Sequence, residues 1–451
     1  IRDVERSRGL GDVYKRQKEE RFKETPISKI PEDWEVKKLA EVTVDIKDTE
    51  HKIPKKVEHG VPFVSINYMI KFPDHNFVIN ENDPNLEFIS EEEFLNHQKR
   101  FNVELGDILY SKWGTIGQAK FVNTRRKFIA SCAIALIKPN KKMANPLFLT
   151  YVLNSRQIKR QIIPVSKTST RAEFHIGHIK KLKIPFPPLL EQKAIAYILS
   201  TVDEAIQKTD EIIAKTERLK KGLLQELLTK GIGHKEFKDT EIGRIPKDWE
   251  VVRLKDVAIE IKPGFACGKR DENGVIQLRM DSIGTDGWIN TRAYVKIPAP
   301  DNIDIEKYLL RPGDILFTNT SGSLELIGKT ALYRGEFARC TYSNHLTRVR
   351  VRKEKATSEW VFYVLLKYWT SGLFKVLKVT QAGGQKSVGK NVLINLKLPL
   401  PSLKEQRKIG EVLSTVDMKL KFEKERKEKL QRIKKALMDL LLTGKIRVKV
   451  S

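Results

Sequence analysis

Two short segments of this chain carry side chains suited to grip a polyanion and read its polar edges. Lys167-Thr168-Ser169-Thr170-Arg171 sets two cations around three hydroxyls, and Gln381, Gln385 and Lys386 surround a Gly-Gly pair. Lys and Arg neutralise phosphates, Gln and Asn can bind adenine edges bidentately, and Arg or Lys can bind guanine. A third polar stretch holds Lys112, Trp113, Thr115 and Gln118, and its counterpart further along holds Asn319, Thr320, Ser323 and Lys329. These positions are the candidate nucleic-acid contacts. Lys47, His51, Lys52 and Lys262 form a second tier.

Catalytic patterns are approached and then missed. Gly322-Ser-Leu-Glu-Leu-Ile-Gly328-Lys329-Thr330 resembles a phosphate loop, but its first Gly stands one residue too far from Gly-Lys-Thr. Asn145-Pro146-Leu147-Phe148 has one proline too few for an amino-methyltransferase motif, and it reads as a helix start with Pro at the first position. His175-x-x-His178 offers two imidazoles with no third ligand spaced to join them. The expectation is a chain without catalytic, metal or cofactor sites of its own.

The elements that must position these loops sit in a strongly basic chain. Lys and Arg number 84 against 57 Asp and Glu, a formal charge of +27, which points to a polyanionic partner. Cys132, Cys267 and Cys340 are scattered and odd in number, so no disulfide framework is legible and a reducing cytoplasmic setting is expected. No run of about 18 apolar residues exists to cross a bilayer. The segment Ile1–Gln17 lacks periodicity, resembles a translated adapter tail, and is set aside as non-native.

The chain is written twice. Ile30-Pro31-x-Asp33-Trp34-Glu35-Val36 returns 215 residues later as Ile245-Pro246-x-Asp248-Trp249-Glu250-Val251. Pro185-x-Pro187 with Glu191-Gln192 returns as Pro399-x-Pro401 with Glu405-Gln406, and Ser200-Thr201-Val202-Asp203 returns as Ser414-Thr415-Val416-Asp417, both 214 residues on. Within each copy, Gly106-Asp107-Ile108-Leu109 and Gly313-Asp314-Ile315-Leu316 read as turns entering strands, whereas 146–153 and 360–369 have helical spacing.

Each copy ends in a long helix. Its seam is predicted to run Ile195, Leu199, Val202, Ile206, Thr209, Ile213, Thr216, Leu219, Leu223, Leu227 in the first. In the second it is predicted to run Ile409, Leu413, Val416, Leu420, Leu430, Ile433, Leu437, Leu441, with Gly231 and Gly444 as stops. The predicted fold is α+β: two mixed α/β globules at 18–186 and 233–400, alternating with helices at 187–232 and 401–446 that pair as an antiparallel coiled coil.

Globules alternating with long helices, each helix introduced by a Pro-x-Pro and Glu-Gln phrase, resemble the DNA specificity subunit of type I restriction–modification systems. The Ile-Pro-x-Asp-Trp-Glu-Val opening and the Gly-Asp-Ile-Leu strand resemble that family too. The resemblance implies a non-catalytic subunit with two target-recognition domains, each reading half of a split, asymmetric site in double-stranded DNA. It further implies docking of two methyltransferase subunits and of restriction (translocase) subunits, with S-adenosylmethionine, ATP and Mg held by those partners. A related type II specificity subunit, or a silent spare copy, would carry the same residues. A basic coiled-coil scaffold for RNA or membrane is the reading from a different class.

Overall fold

The computed structural model describes residues 21–49, 54–99, 101–166, 174–377, 380–382 and 385–448. The chain divides into two compact units, one running to Glu211 and resuming at Lys424, the other spanning Ile212–Glu423. Each unit therefore contains one globule and parts of both long helices, a partition that cuts the helices midway and not at their ends.

In the first unit, Glu35–Lys38 pairs antiparallel with Lys183–Phe186 and ties the start of the globule to its end. A four-stranded antiparallel sheet follows in the order Thr43–Asp48, Ile134–Pro139, Ile108–Ser111, Ala119–Phe121. Both its faces are covered. Ile108 and Tyr110 enter a core with Trp34, Phe148 and Leu199, while Leu109 and Leu136 enter a second core with Phe63, Tyr68 and Phe77. Alternation of side chains along a strand sends neighbours to opposite faces, so a strand buried on both sides reads as an unbroken apolar run. The second core is closed by the sheet Ile129–Ala130, Val61–Val64, Glu87–Ile89, Lys56–Val57.

The second unit repeats this plan with different residues. Glu250–Arg253 pairs with Lys397–Leu400, and a four-stranded sheet runs Ala258–Pro263, Leu346–Val351, Ile315–Thr318, Thr330–Leu332. Ile315 and Phe317 face a core built on Trp249 and Trp360, and Leu316 faces another with Leu278, Tyr333 and Tyr342. A small extra sheet joins Thr320–Ser321, Gln385–Ser387 and Thr380–Ala382.

The Gly-Asp-Ile-Leu phrase acquires a physical reason here. Gly106 and Gly313 take φ of +89° and +95°, which the turn requires. Asp107 accepts from the Glu104 N–H and pairs with Lys138 at 2.8 Å, and Asp314 accepts from the Arg311 N–H and pairs with Arg350 at 2.7 Å. Each Asp thus caps its turn and pins the neighbouring strand.

The long helices span Leu189–Leu227 and Leu403–Leu441, 39 residues each, hence about 58 Å long at 1.5 Å per residue. Gly231 and Gly444 follow them with φ of +66° and +67°, the left-handed stop expected there. In the first unit Asp203 pairs with Lys434 at 2.8 Å and Asp210 with Lys427 at 2.5 Å, so this helix portion meets its neighbour running the opposite way. In the second unit Lys220 pairs with Asp417 at 2.6 Å.

The predicted seam needs one correction in each helix. Leu219 is 54% exposed and Ile433 is 39% exposed, while the next residues, Lys220 and Lys434, turn inward. The ammonium groups reach buried Asp417 and Asp203, and that pairing overrides the apolar periodicity.

Candidate nucleic-acid interface

The loop after Ile108–Ser111 is held from inside. Ser111 Oγ donates to the Thr115 carbonyl at 2.5 Å and accepts from the Gln118 N–H at 2.9 Å, with Gly114 and Gly117 at positive φ. A Cβ on Gly117 would meet Ile162 Cδ1 at 2.8 Å, so the loop lies close on the helix beneath. Thr115 is exposed and Gln118 and Trp113 are half-buried. Lys112 departs from the expectation of a solvent-facing cation: it is buried, pairs with Asp48 at 3.0 Å and lies 4.8 Å over the Trp113 ring. As it stands it braces the loop and offers a phosphate no free surface.

The second globule places Asn319 where the first places Lys112. The backbone N–H of Lys112 donates to Ala133 and its carbonyl accepts from Phe174; the N–H of Asn319 donates to His345 and its carbonyl accepts from Val388. Asn319 Nδ2 donates to the Asn344 carbonyl and to Thr347 Oγ1, and its Oδ1 is buried with no hydrogen-bond partner among the described residues. Thr320 is half-buried on a strand opposite Ser387, and Ser323 is exposed in the loop beyond. Lys329 is buried, and burial pushes its ammonium below the ordinary lysine range against the pull of Asp281. Like Lys112, it is a wall residue. Lys386 is half-buried on a hairpin strand, registered with Gln381, and Gln385 lies opposite Ala382. Lys167 to Arg171, His51, Lys52 and the tail Ile1–Gln17 lie outside the described residues.

Residues of the repeated motifs that spacing alone leaves unassigned make supporting contacts within each unit. Glu191 and Glu405, of the Glu-Gln phrase, are indole acceptors: Trp34 Nε1 donates to Glu191 and Trp249 Nε1 to Glu405, each at 3.1 Å. Arg447 closes the first cluster by reaching both Glu191 and Asp33, and His234 closes the second by reaching Glu405 and Asp248. The neighbouring glutamines are backbone bridges. Gln192 accepts from the Asn145 N–H and donates to the carbonyls of Pro187 and Met143; Gln406 does the same with Thr357, Pro401 and Lys355. The Asp of Ser-Thr-Val-Asp is a tyrosine acceptor, Tyr151 donating to Asp203 at 2.8 Å and Tyr363 to Asp417 at 2.9 Å. For the Trp, Glu, Gln and Asp residues the signal is the shared offset between copies, combined with residue types that a solvated surface has no need to repeat; Arg447 and His234 have no counterpart at that offset.

His75 lies beside the Tyr151–Asp203 pair, 3.5 Å from Asp203. Burial pushes its pKa below the ordinary 6.5; Asp203, Glu204 and Asp74 oppose that, and Lys434 adds to it. The folded chain thus keeps His75 neutral where the unfolded chain takes up a proton. Stability of the first unit is expected to fall as the pH drops below 6.5. Unfolding midpoints at pH 7 and pH 5 check this, because His75→Gln should flatten that part of the decline.

Among the described residues, no group of three or more His, Cys, Asp or Glu gathers to hold a metal, and no helix is long and apolar enough to cross a membrane. His175 and His178 lie with ring centroids 6.0 Å apart.

Comparison with known proteins gives a consistent answer. The family model described as the type I restriction modification DNA specificity domain matches twice, at residues 31–218 and 246–432. The chain is 31% identical to the type I restriction enzyme MjaVIII specificity subunit of Methanocaldococcus jannaschii, covering 96% of this chain and 97% of that protein. It is 22% identical to the EcoKI specificity subunit of Escherichia coli over 84% of this chain and 81% of the other. In fold it is similar to the type I S subunit of M. genitalium, with a TM-score of 0.57 over 93% of this chain and 97% of that one, at 16% identity.

Proposed function

The chain belongs to the type I restriction–modification DNA specificity family, and from that premise we propose that it reads a split, asymmetric DNA target, one half-site per globule. The observation that carries this reading is the pair of matched loops. Two copies of one scaffold hold Lys112 and Asn319 by the same backbone bonds, yet the loops around them differ in nearly every side chain. Equal scaffolds with unequal loops suit two readers of unequal half-sites. Of the candidate contacts, exposed Thr115 and Ser323, half-buried Gln118, Thr320 and Lys386, and the polar run Lys167–Arg171 are the ones we assign to DNA. Asn319, Gln381 and Gln385 complete the second reader's set.

The remaining parts follow from the same reading. The long helices act as a spacer, paired along their length as an antiparallel coiled coil, which the opposed ion pairs within the first unit support. Methyltransferase and restriction subunits dock on the chain and bring S-adenosylmethionine, ATP and Mg, while this chain supplies only recognition. It works in the cytoplasm, beside the DNA it reads.

Selection from a duplex library with two randomised blocks and a variable spacer tests the proposal, using the full chain together with its co-expressed modification subunit. Enrichment of two different half-sites at a fixed separation is expected. Retention of duplexes without sequence preference would instead favour a basic scaffold. A second check is electrostatic. Reversing Lys167 and Arg171 to Glu is expected to weaken binding at every sequence and to lower the slope of log K against log salt by roughly two. An unchanged slope would remove both residues from the interface.

A further inference from the structure

Each globule is bolted to the helices through a lysine that comes from the other repeat. In the first unit, Lys434 of the second long helix reaches Asp203 of the first long helix at 2.8 Å and Asp74 of the globule at 3.5 Å. Asp203 in turn accepts from Tyr151, which stands on the helix Pro146–Leu153 of the globule, and Asp74 also pairs with Lys120 at 2.8 Å. In the second unit, Lys220 of the first long helix reaches Asp417 of the second at 2.6 Å and the Asp286 carbonyl of the globule at 3.5 Å. Asp417 accepts from Tyr363 on the globule helix Ser358–Thr370. The turn bearing Asp286 is also gripped through Trp288, with Lys421 4.2 Å from the centre of its ring and Arg334 3.8 Å from it.

The two constellations are equivalent: Lys220 and Lys434 are 214 residues apart, as are Asp203 and Asp417. Tyr151 and Tyr363 match within two residues of that offset. Asp203 and Asp417 are almost wholly buried, and the lysine side chains are 18% exposed for Lys434 and 13% for Lys220. Burial pulls the Lys434 ammonium down, but Asp74 and Asp203 outweigh it and hold the group charged.

A buried ion pair is a poor way to gain stability, because an apolar pair of the same volume avoids the desolvation of two charges. Its best-attested use is to fix register, since only one alignment satisfies both charges. Here an apolar residue was available one position earlier in each helix, Leu219 and Ile433, and it is the one left exposed. The globules meanwhile have diverged around their loops while keeping the tyrosine, the acid and the contact to a turn. What the lysine fixes within each unit is therefore the orientation of the globule on its own helix segments, and orientation is what a reader needs to present its loops to a base pair.

We propose that Lys434 and Lys220 are positioning residues for recognition, each setting the angle at which one globule meets its half-site and each supplied in trans by the opposite repeat. The inference rests on the two-reader function above. It makes the readers modular in their loops but dependent on the far helix: a transplanted first globule would need an acid at the position of Asp74 to be aligned.

The test is library selection with the full chain and its modification subunit, comparing wild type with Lys434→Met and Lys220→Met. Each variant is expected to blur one half-site, lowering discrimination against single mismatches there by roughly tenfold. The other half should keep its discrimination within about twofold, and the two variants should blur opposite halves. Lys434→Arg, which keeps charge and reach, should restore most of the loss. Simple loss of folded protein would lower the amount of DNA retained without changing which sequences are retained, so the readout separates alignment from stability. Should Lys434→Met fail to fold, Asp74→Asn weakens the Lys434 contact to the globule, along with the Lys120 pair inside it, while leaving the Asp203 pair in place, and is expected to blur the same half. Unchanged half-sites in both variants, or equal blurring of both halves by either one, would overturn the proposal. A wild-type chain that selects no split motif would instead overturn the two-reader function itself.

Discussion

Truncating Trp249 to alanine is expected to destabilise the second unit by about 3–5 kcal/mol. The indole is fully buried, lies edge-on to Trp360 with ring centroids 5.4 Å apart, and donates to Glu405. Removing it opens a cavity in the core and strips a half-buried carboxylate of a donor. A Cβ on Gly231 would stand 2.7 Å from the same ring, so the helix stop leans on it as well. Domains of this size are stable by only about 5–15 kcal/mol, so the loss is a large share of the whole. Urea unfolding of wild type, Trp249→Ala and Trp249→Phe measures it. Phenylalanine keeps much of the ring but gives Glu405 no N–H, and it should fall between the other two. A loss under about 1 kcal/mol for alanine would mean that the tryptophan does not anchor the unit.

Exchanging residues 22–186 for the matching segment of a relative is expected to change one half of the DNA target and leave the other intact. Sequence-specific binding exceeds non-specific binding by roughly 10³-fold or more, so duplexes carrying the old half-site should drop to near the non-specific level. Duplexes pairing the new half with the unchanged second half should bind well. The exchange keeps Glu191, Lys434 and Arg447, which come from outside the segment, so the incoming globule must present partners like Trp34, Tyr151 and Asp74 to them. Quantitative binding to the four combinations of old and new halves settles the matter. A change in both halves would contradict separate readers.

Much of the architecture was legible in the residues because local chemistry fixes it. Gly106 and Gly313 must turn, Gly231 and Gly444 must stop a helix, and alternating or continuous apolar runs must pair as strands. The predicted helical segments, 187–232 and 401–446, enclose the observed Leu189–Leu227 and Leu403–Leu441. What stayed hidden depends on partners far away in sequence. Nothing local tells Leu219 to face solvent and Lys220 to face inward; that choice is made by Asp417, 197 residues on. Lys112 and Lys329 looked like free cations because composition records charge and not burial, and only the fold reveals Asp48 beneath the first. The division into units escaped for a similar reason. A globule packs on whichever helix segments reach it, and half of these arrive from the opposite repeat.

The most direct test is to co-express the chain with a type I methyltransferase subunit in a host free of adenine methylation, then map modified adenines by single-molecule sequencing. One split, asymmetric motif with a methylated adenine in each half is expected. A stable complex that methylates at no recurring motif, or at a single unsplit one, would contradict it.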